Sequence, residues 1–367
     1  MIRAPVAFFV PSLVFGGAER VAINLAEGFA ARGVPTDLVA ANGQGEFGGQ
    51  IPAGVRLVDL KASRVISSMP SLMRYLRDER PRAMITFMDH AGIIALWARR
   101  LTGTSACIIC TVHTNLTQRV GNSPNTRSRF IPLLLRTFYP WADHVVAVSH
   151  GVADGLTLAT GFPGSKVEVI YNPVITEDVL AQAQQPPDHP WFAPGEPPVV
   201  LGVGRLTKAK DFPTLIRAFA TVRQQQPARL MILGEGEERT ALTALIAELG
   251  LTGEVDLPGF RDNALAFMAR SRVFVLSSTR EGLPTVLIEA LAAGAPVVAT
   301  DCLSGPREIL QNGSLGTLVP VGDVEALAEG ISRVLRQSPA RVPLEALSVF
   351  TMNTSVSRYL EMIESSR

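Results

Sequence analysis

Short runs of consecutive apolar residues alternate along this chain with longer stretches whose apolar positions recur every three to four residues. The first pattern marks strands buried on both faces and the second amphipathic helices, so the alternation predicts an α/β fold with parallel sheets wrapped by crossover helices. In the first half the strand-like runs are VAFFV (6–10), TDLVAA (36–41), VRLVDL (55–60), AMITFM (83–88), ACIICTV (106–112), HVVAV (144–148) and VEVI (167–170). The first helix shows the spacing: Ala18, Val21, Ala22, Leu25 and Phe29 share a face, and Gly33 ends the pattern after Arg32. A second series follows with VVLGVG (199–204), RLMILG (229–234), RVFVLS (272–277), PVVAT (296–300) and LGTLVP (315–320).

Between the two series lies QAQQPPDHPWFAPGEPP (182–198), with six prolines and no periodicity. It reads as a linker joining a domain over 1–181 to one over 199–350. The last amphipathic piece, within 351–367, has no strand to serve and is expected to pack back on the first domain. A length of 367 residues gives each of two domains enough chain for its own core.

Composition narrows the setting. With 47% hydrophobic and 18% charged residues the chain reads as globular. No apolar run approaches the roughly 20 residues of a bilayer span, and the N-terminus lacks a secretory cleavage pattern, so a cytoplasmic protein is expected. Cys107 and Cys110 form a C-x-x-C pair open to a redox or metal reading. Within a buried strand, however, residues three apart face opposite sides and share neither a disulfide nor a metal. Net charge is +1 but divided, near +6 over 1–172 and −5 over 173–367. No acidic residue separates Asp89 from Asp143, where Arg99, Arg100, Arg119, Arg127, Arg129 and Arg136 fall. The first half is therefore expected to carry a positive face.

Three segments suggest chemistry. Gly16-Gly17 follows the first strand and opens a helix, where backbone N–H groups can meet an anion or the glycines can serve turn geometry alone. G-V-G-R-L-T-K-A-K-D places Arg205 and Lys210 just past a strand end, the edge at which α/β sheets bind ligands. Two cations there suit a diphosphate, or are solvated surface charges. The pairs Gly202/Gly204 and Gly234/Gly236 each resemble the start of a dinucleotide fingerprint but lack its third glycine and closing acid. The sharpest segment is EGLPTVLIE, with Glu281 in a turn and Glu289 on a helix. Pro284 suits a first helical turn, Thr285 can offer its hydroxyl or N–H to a phosphate, and Glu289 can accept from vicinal ribose hydroxyls.

Together with GGAERVAINLAEGFA, VAVSHGV, VIYNPV, GVGRLTKAKDFPTLIRAFA, LMILGEGEER, LPGF and VVATDCLSGPREIL, these segments resemble, in order and over nearly the whole length, the retaining glycosyltransferases of family 4. The resemblance implies the GT-B fold, two Rossmann-like domains facing a cleft, and transfer of a hexose or N-acetylhexosamine from a nucleotide diphosphate sugar, UDP favoured. The acceptor it implies is a glycan or a lipid-linked glycan of surface polysaccharide assembly. Arg205 and Lys210 would hold the diphosphate, Glu281 the transferred sugar and Glu289 the ribose. Gly204, Gly282, Leu283, Pro284 and Thr285 would surround the phosphates, and Phe260-Arg261 would border the base. Gly16 and Gly17 would allow close approach of a loop to the donor. His113 would touch the sugar, unless it is an ordinary loop histidine. No cofactor, metal or nucleic-acid partner is expected, and no Asp-x-Asp occurs. The segment 116–138 mixes Phe130, Ile131, Leu133, Leu134 and Leu135 with arginines, which suits an anionic membrane surface or a core-packed helix with wet arginines. An epimerase or hydrolase of the same fold, and a non-catalytic sugar-nucleotide-binding protein, are the competing classes.

Overall fold

The computed structural model describes residues 4–14, 16–117, 130–337 and 340–366. The chain divides into two compact units, Met1–Val174 with Val349–Arg367, and Ile175–Ser348. In the first, seven parallel strands run in the order β3-β2-β1-β4-β5-β6-β7: β1 Val6–Ser12, β2 Thr36–Asn42, β3 Val55–Asp59, β4 Ala83–Phe87, β5 Cys107–Val112, β6 His144–Ala147 and β7 Val167–Val169. The order reverses between β1 and β4, and a gap forms at such a reversal because the crossover helices leave on opposite faces of the sheet.

Helices on both faces explain the unbroken apolar runs. Val6, Phe8, Phe9 and Val10 are all fully buried, each contributing about 1.5–3 kcal/mol of hydrophobic stabilisation. Helix Gly17–Ala31 lays Val21, Ala22, Leu25 and Phe29 into the core, and the Phe29 ring meets Phe8 edge-on at 5.2 Å. Its other side receives helix Met352–Ser365. A Cβ at Gly28 would lie 2.6 Å from Val356 Cγ2 and 2.7 Å from Met352 Sδ, so the two helices approach over a residue without a side chain. Behind β2 and β3, Arg56 and Tyr75 both donate to the buried Asp37 carboxylate, tying helix Met69–Glu79 to the sheet.

The second unit repeats the plan with six parallel strands in the order β10-β9-β8-β11-β12-β13: β8 Val199–Val203, β9 Arg229–Leu233, β10 Val255–Gly259, β11 Val273–Leu276, β12 Val297–Thr300 and β13 Thr317–Val319. Strand β10 has no counterpart in the sequence reading. It is an edge strand with a register shift between Asp256 and Gly259, and Pro258 within it hides the β pattern. The proline-rich segment expected as a linker is a packed part of this unit. Asn263 Nδ2 donates to the Gln182 carbonyl and to Gln185 Oε1, Trp191 lies under the Arg229 guanidinium at 4.9 Å, and Phe192 meets Phe267 at 5.5 Å. The second unit begins at Ile175, and Trp191, Phe192 and the bonds from Asn263 anchor within it a segment whose prolines erase its periodicity.

Cys107 and Cys110 are buried and unbridged, Cys107 in the main core of the first unit and Cys110 against Gly92. Burial raises both thiols, Cys110 to about 12, which removes the thiolate that redox or metal chemistry requires. Among the described residues no helix is long and apolar enough to cross a membrane.

Candidate active site

In the second unit the turns after β8, β9 and β11 meet at the carboxyl edge of the sheet. The first two are pressed together. Leu206 N–H donates to the Glu235 carbonyl and Gly204 N–H to the Leu233 carbonyl. A Cβ at Gly234 would lie 2.0 Å from Gly204 O, and one at Gly236 would lie 2.3 Å from Leu206 O. This backbone contact accounts for Gly234 and Gly236 without a dinucleotide fingerprint, which the sequence also lacks.

The turn after β8 presents Arg205 exposed and Lys210 half-buried. The Lys210 stem covers Gly204, whose Cβ would stand 3.2 Å from Lys210 Cε, so glycine at 204 lets the lysine lie flat against the turn. Lys210 Nζ then donates to Glu281 Oε1 at 2.6 Å, and Ser278 Oγ donates to the same oxygen at 2.6 Å. Backbone ties hold the two turns in register: Ser277 Oγ donates to Lys210 O, and Thr279 N–H to Ala209 O. Thr300, at the end of β12, donates to Ser278 O at 2.6 Å. Asp211, with a left-handed φ of +47°, ends the first turn and accepts from Thr214 Oγ1 as helix Phe212–Gln225 begins.

An ammonium has three N–H donors and a carboxylate two oxygens. The pair uses one donor and one oxygen on itself, so among the described residues two Lys210 N–H groups and Glu281 Oε2 are left for a ligand. Behind the pair lies Cys302, buried, its thiol pushed up to about 12 by burial first and by the Glu281 charge second. Such a thiol is no nucleophile, and Cys302 Sγ donates instead to Ser304 O at 3.8 Å.

Gly282, Leu283 and Pro284 lead from Glu281 into helix Thr285–Ala292, whose first turn has no side-chain cap. A Cβ at Gly305, where φ is +94°, would lie 2.3 Å from Pro284 Cδ, so the turn after β12 packs directly under this entry. Pro284, the N-cap residue, has no side-chain acceptor to offer the first turn, and the helix dipole favours an anion at this end. Glu289 sits half-buried on the same helix. Phe260, 59% exposed, and Arg261 follow β10 at the same edge of the sheet. Gly259 there has φ of +86°, and a Cβ would meet Glu235 Oε1 at 2.7 Å. That carboxylate is held by Arg239, which donates from Nε and Nη2 at 2.8 Å each and also to Leu257 O.

In the first unit Gly16 caps helix Gly17–Ala31 with extended backbone, and a Cβ at Gly17 would meet nothing within 4 Å. Packing within the protein therefore does not require glycine at 17. His113 follows β5, half-buried, its ring over Phe87 at 5.5 Å, and burial lowers its pKa to about 4, so it is neutral at physiological pH. Near the ends of β1 and β2 a cavity of about 560 Å³ opens, with Ile66, Ile93, Ile94 and Leu134 on its apolar wall and Arg64 and Asn42 among its polar groups. On helix Ile131–Phe138 only Leu135 is buried, while Leu133 and Leu134, with Phe130 before it, are exposed. The core-packed reading thus fits Leu135 and Phe138, whose ring packs on Trp97 and Trp141, but not Phe130, Leu133 and Leu134. Arg119, Arg127 and Arg129 lie outside the described residues.

Residues 15–178 match the family described as Glycosyltransferase Family 4, and residues 187–346 that described as Glycosyl transferases group 1. A Campylobacter jejuni N-acetylgalactosamine-N,N'-diacetylbacillosaminyl-diphospho-undecaprenol 4-alpha-N-acetylgalactosaminyltransferase is 32% identical over 255 residues, 70% of this chain and 67% of that one. The chain belongs to glycosyltransferase family 4. This glycosyltransferase is also 28% identical over 362 residues to the lipopolysaccharide core biosynthesis glycosyltransferase LpsE of Rhizobium meliloti, covering 95% of this chain and 96% of that one. Among solved structures, Anabaena HepE in complex with UDP and glucose superimposes with a TM-score of 0.79 at 20% identity, over 99% of this chain and 100% of that one. A Rickettsia africae glycosyltransferase does so with a TM-score of 0.82 at 19% identity, over 99% and 98%. These likenesses establish the GT-B fold.

The sequence reading missed Ser277, Ser278 and Thr279, which lie two to four residues before Glu281: Ser277 and Thr279 join its turn to that of Lys210, and Ser278 donates to Glu281 itself. Three hydroxyl residues directly after a buried strand were the available signal.

Proposed function

We propose that this glycosyltransferase moves a hexose or N-acetylhexosamine, with retention and without a metal, from a UDP-sugar to a glycan or lipid-linked acceptor of surface polysaccharide assembly. The observation that carries the donor side is the Lys210–Glu281 pair, which joins a cation and a carboxylate between the turn that presents Arg205 and the entry to helix Thr285–Ala292. Lys210, Arg205 and the backbone around Leu283–Thr285 are assigned to the diphosphate, Glu281 Oε2 to a sugar hydroxyl and Glu289 to the ribose. As the bond from the anomeric carbon to the β-phosphate oxygen breaks, its electron pair leaves with that oxygen. The two cations stabilise the growing charge. The acceptor hydroxyl forms the new bond on the same face, and its proton passes to the departing phosphate oxygen.

Ligand-observed NMR with a panel of nucleotide sugars tests the donor. UDP-sugars are expected to bind in EDTA, with binding weakened in Lys210→Met; a panel in which no UDP-sugar binds, or binding that requires a divalent ion, overturns this reading. A donor that rearranges or hydrolyses at full rate with no acceptor would instead identify an epimerase or hydrolase.

The lipid-linked acceptor and peripheral attachment to an anionic membrane are supported by the exposed Phe130, Leu133 and Leu134, by the positive first half of the chain and by the apolar cavity beside Leu134. The diphospho-undecaprenol-linked glycan in the Campylobacter relative's name and the lipopolysaccharide core biosynthesis in the Rhizobium relative's support the same class. Co-sedimentation with vesicles containing anionic lipid is expected, to fall with added salt and to drop in Leu133→Ser. Binding indifferent to anionic lipid and salt would remove the membrane from the proposal.

A further inference from the structure

Strand β5 lies beside β4 and places Thr111, which is buried, between the Thr86 carbonyl and the ring of His113. Thr111 Oγ1 is 2.7 Å from Thr86 O and 2.8 Å from His113 Nε2. A hydroxyl has one proton, and a carbonyl oxygen can only accept. The Thr111 proton is therefore committed to Thr86, and the short contact to the ring is satisfied only when Nε2 carries a proton and donates to Oγ1. A neutral imidazole has a single N–H, so Nδ1 is left bare.

We propose that Thr111 is a positioning residue that locks His113 in the Nε2–H tautomer, making Nδ1 an acceptor that recognises a hydroxyl of the sugar or glycan substrate. In this state His113 cannot donate to a phosphate oxygen or protonate a leaving group, and it discriminates against substrates lacking the matching hydroxyl. Phe87 on the ring face and burial keep the imidazole uncharged, so the selection holds across the neutral pH range. The inference rests on the reading that His113 touches substrate, and its two halves are tested separately.

The test is 15N NMR of the full chain labelled at histidine, together with steady-state kinetics of Thr111→Val and Thr111→Ser. His113 in the wild type is expected as Nε2–H from pH 6 to 8, with no titration in that range. Thr111→Val, which keeps the shape and removes the acceptor, is expected to yield a mixture of tautomers and about a tenfold loss in kcat/KM, the scale of one polar contact. Thr111→Ser is expected to restore both. Substrates with single hydroxyls replaced by hydrogen should include one whose penalty in the wild type shrinks in Thr111→Val, because both changes remove the same contact. A wild-type signal from Nδ1–H, or from the imidazolium, overturns the relay even if the valine variant fails to fold. A tautomer change with unaltered kcat/KM overturns the substrate role of His113 and leaves nucleotide binding by the second unit intact.

Discussion

Lys210→Met is expected to lower kcat/KM by about 10²–10³-fold, the range seen when one preorganised donor to a developing oxyanion is removed. Methionine keeps an aliphatic stem over Gly204, so the turn after β8 retains its packing while the charge goes. What remains is the Glu281 carboxylate with Ser278 as its donor, half-buried and without its cation. Leaving such a group under-satisfied costs about 1–3 kcal/mol, so a lower melting temperature should accompany the loss of turnover. Glu281→Gln separates the two effects. Its amide oxygen can still accept from Ser278 and Lys210, so stability should stay closer to wild type while the carboxylate chemistry is lost. Kinetics and thermal unfolding of both variants decide the matter, and near-wild-type turnover in Lys210→Met would refute the assignment of the donor phosphate to this turn.

Gly234→Ala is expected to destabilise the second unit by about 2–6 kcal/mol, the combined scale of a strained backbone conformation and an overpacked contact. Its φ of +138° disfavours any L side chain, and the new Cβ would lie 2.0 Å from Gly204 O, a backbone atom that cannot swing aside. The turn carrying Arg205 and Lys210 would be displaced, so folding and activity should fall together. A few kcal/mol is a large share of a domain's net stability. Gly17→Ala is the contrasting control. It has helical backbone and open space at its Cβ, so stability should change by less than about 0.5 kcal/mol, and any loss of turnover would report ligand approach. Calorimetry of the two variants checks both outcomes; a wild-type melting temperature in Gly234→Ala would show that the two turns are not pressed together as described.

The unequal legibility of these features follows from how each is encoded. VAFFV reads as a buried strand and GAERVAINLAEGFAA as a helix because their periodicity is carried by residues within a few positions of one another. The edge strand β10 escaped because Asp256 and Pro258 interrupt its apolar run, and strand pairing with β9 overrides that local signal. The segment 182–198 escaped for the opposite reason: its prolines suggest a free connector, while the partners that hold Trp191 and Phe192 lie far along the chain at Arg229 and Phe267. The Asp37–Arg56–Tyr75 cluster has no local signature, since its members come from two strands and a helix.

By itself the sequence determined the two α/β series, the family to which they belong and the residue types that suit a nucleotide diphosphate sugar. Only the tertiary structure decided that Lys210 donates to Glu281 across 71 positions of chain, because that meeting depends on β8 and β11 being neighbours where the strand order reverses. It likewise decided which proton His113 carries, because Thr111 must choose between a carbonyl from β4 and the ring beside it. Periodicity is a property of neighbours in sequence; the charge state and orientation of a functional group are set by neighbours in space.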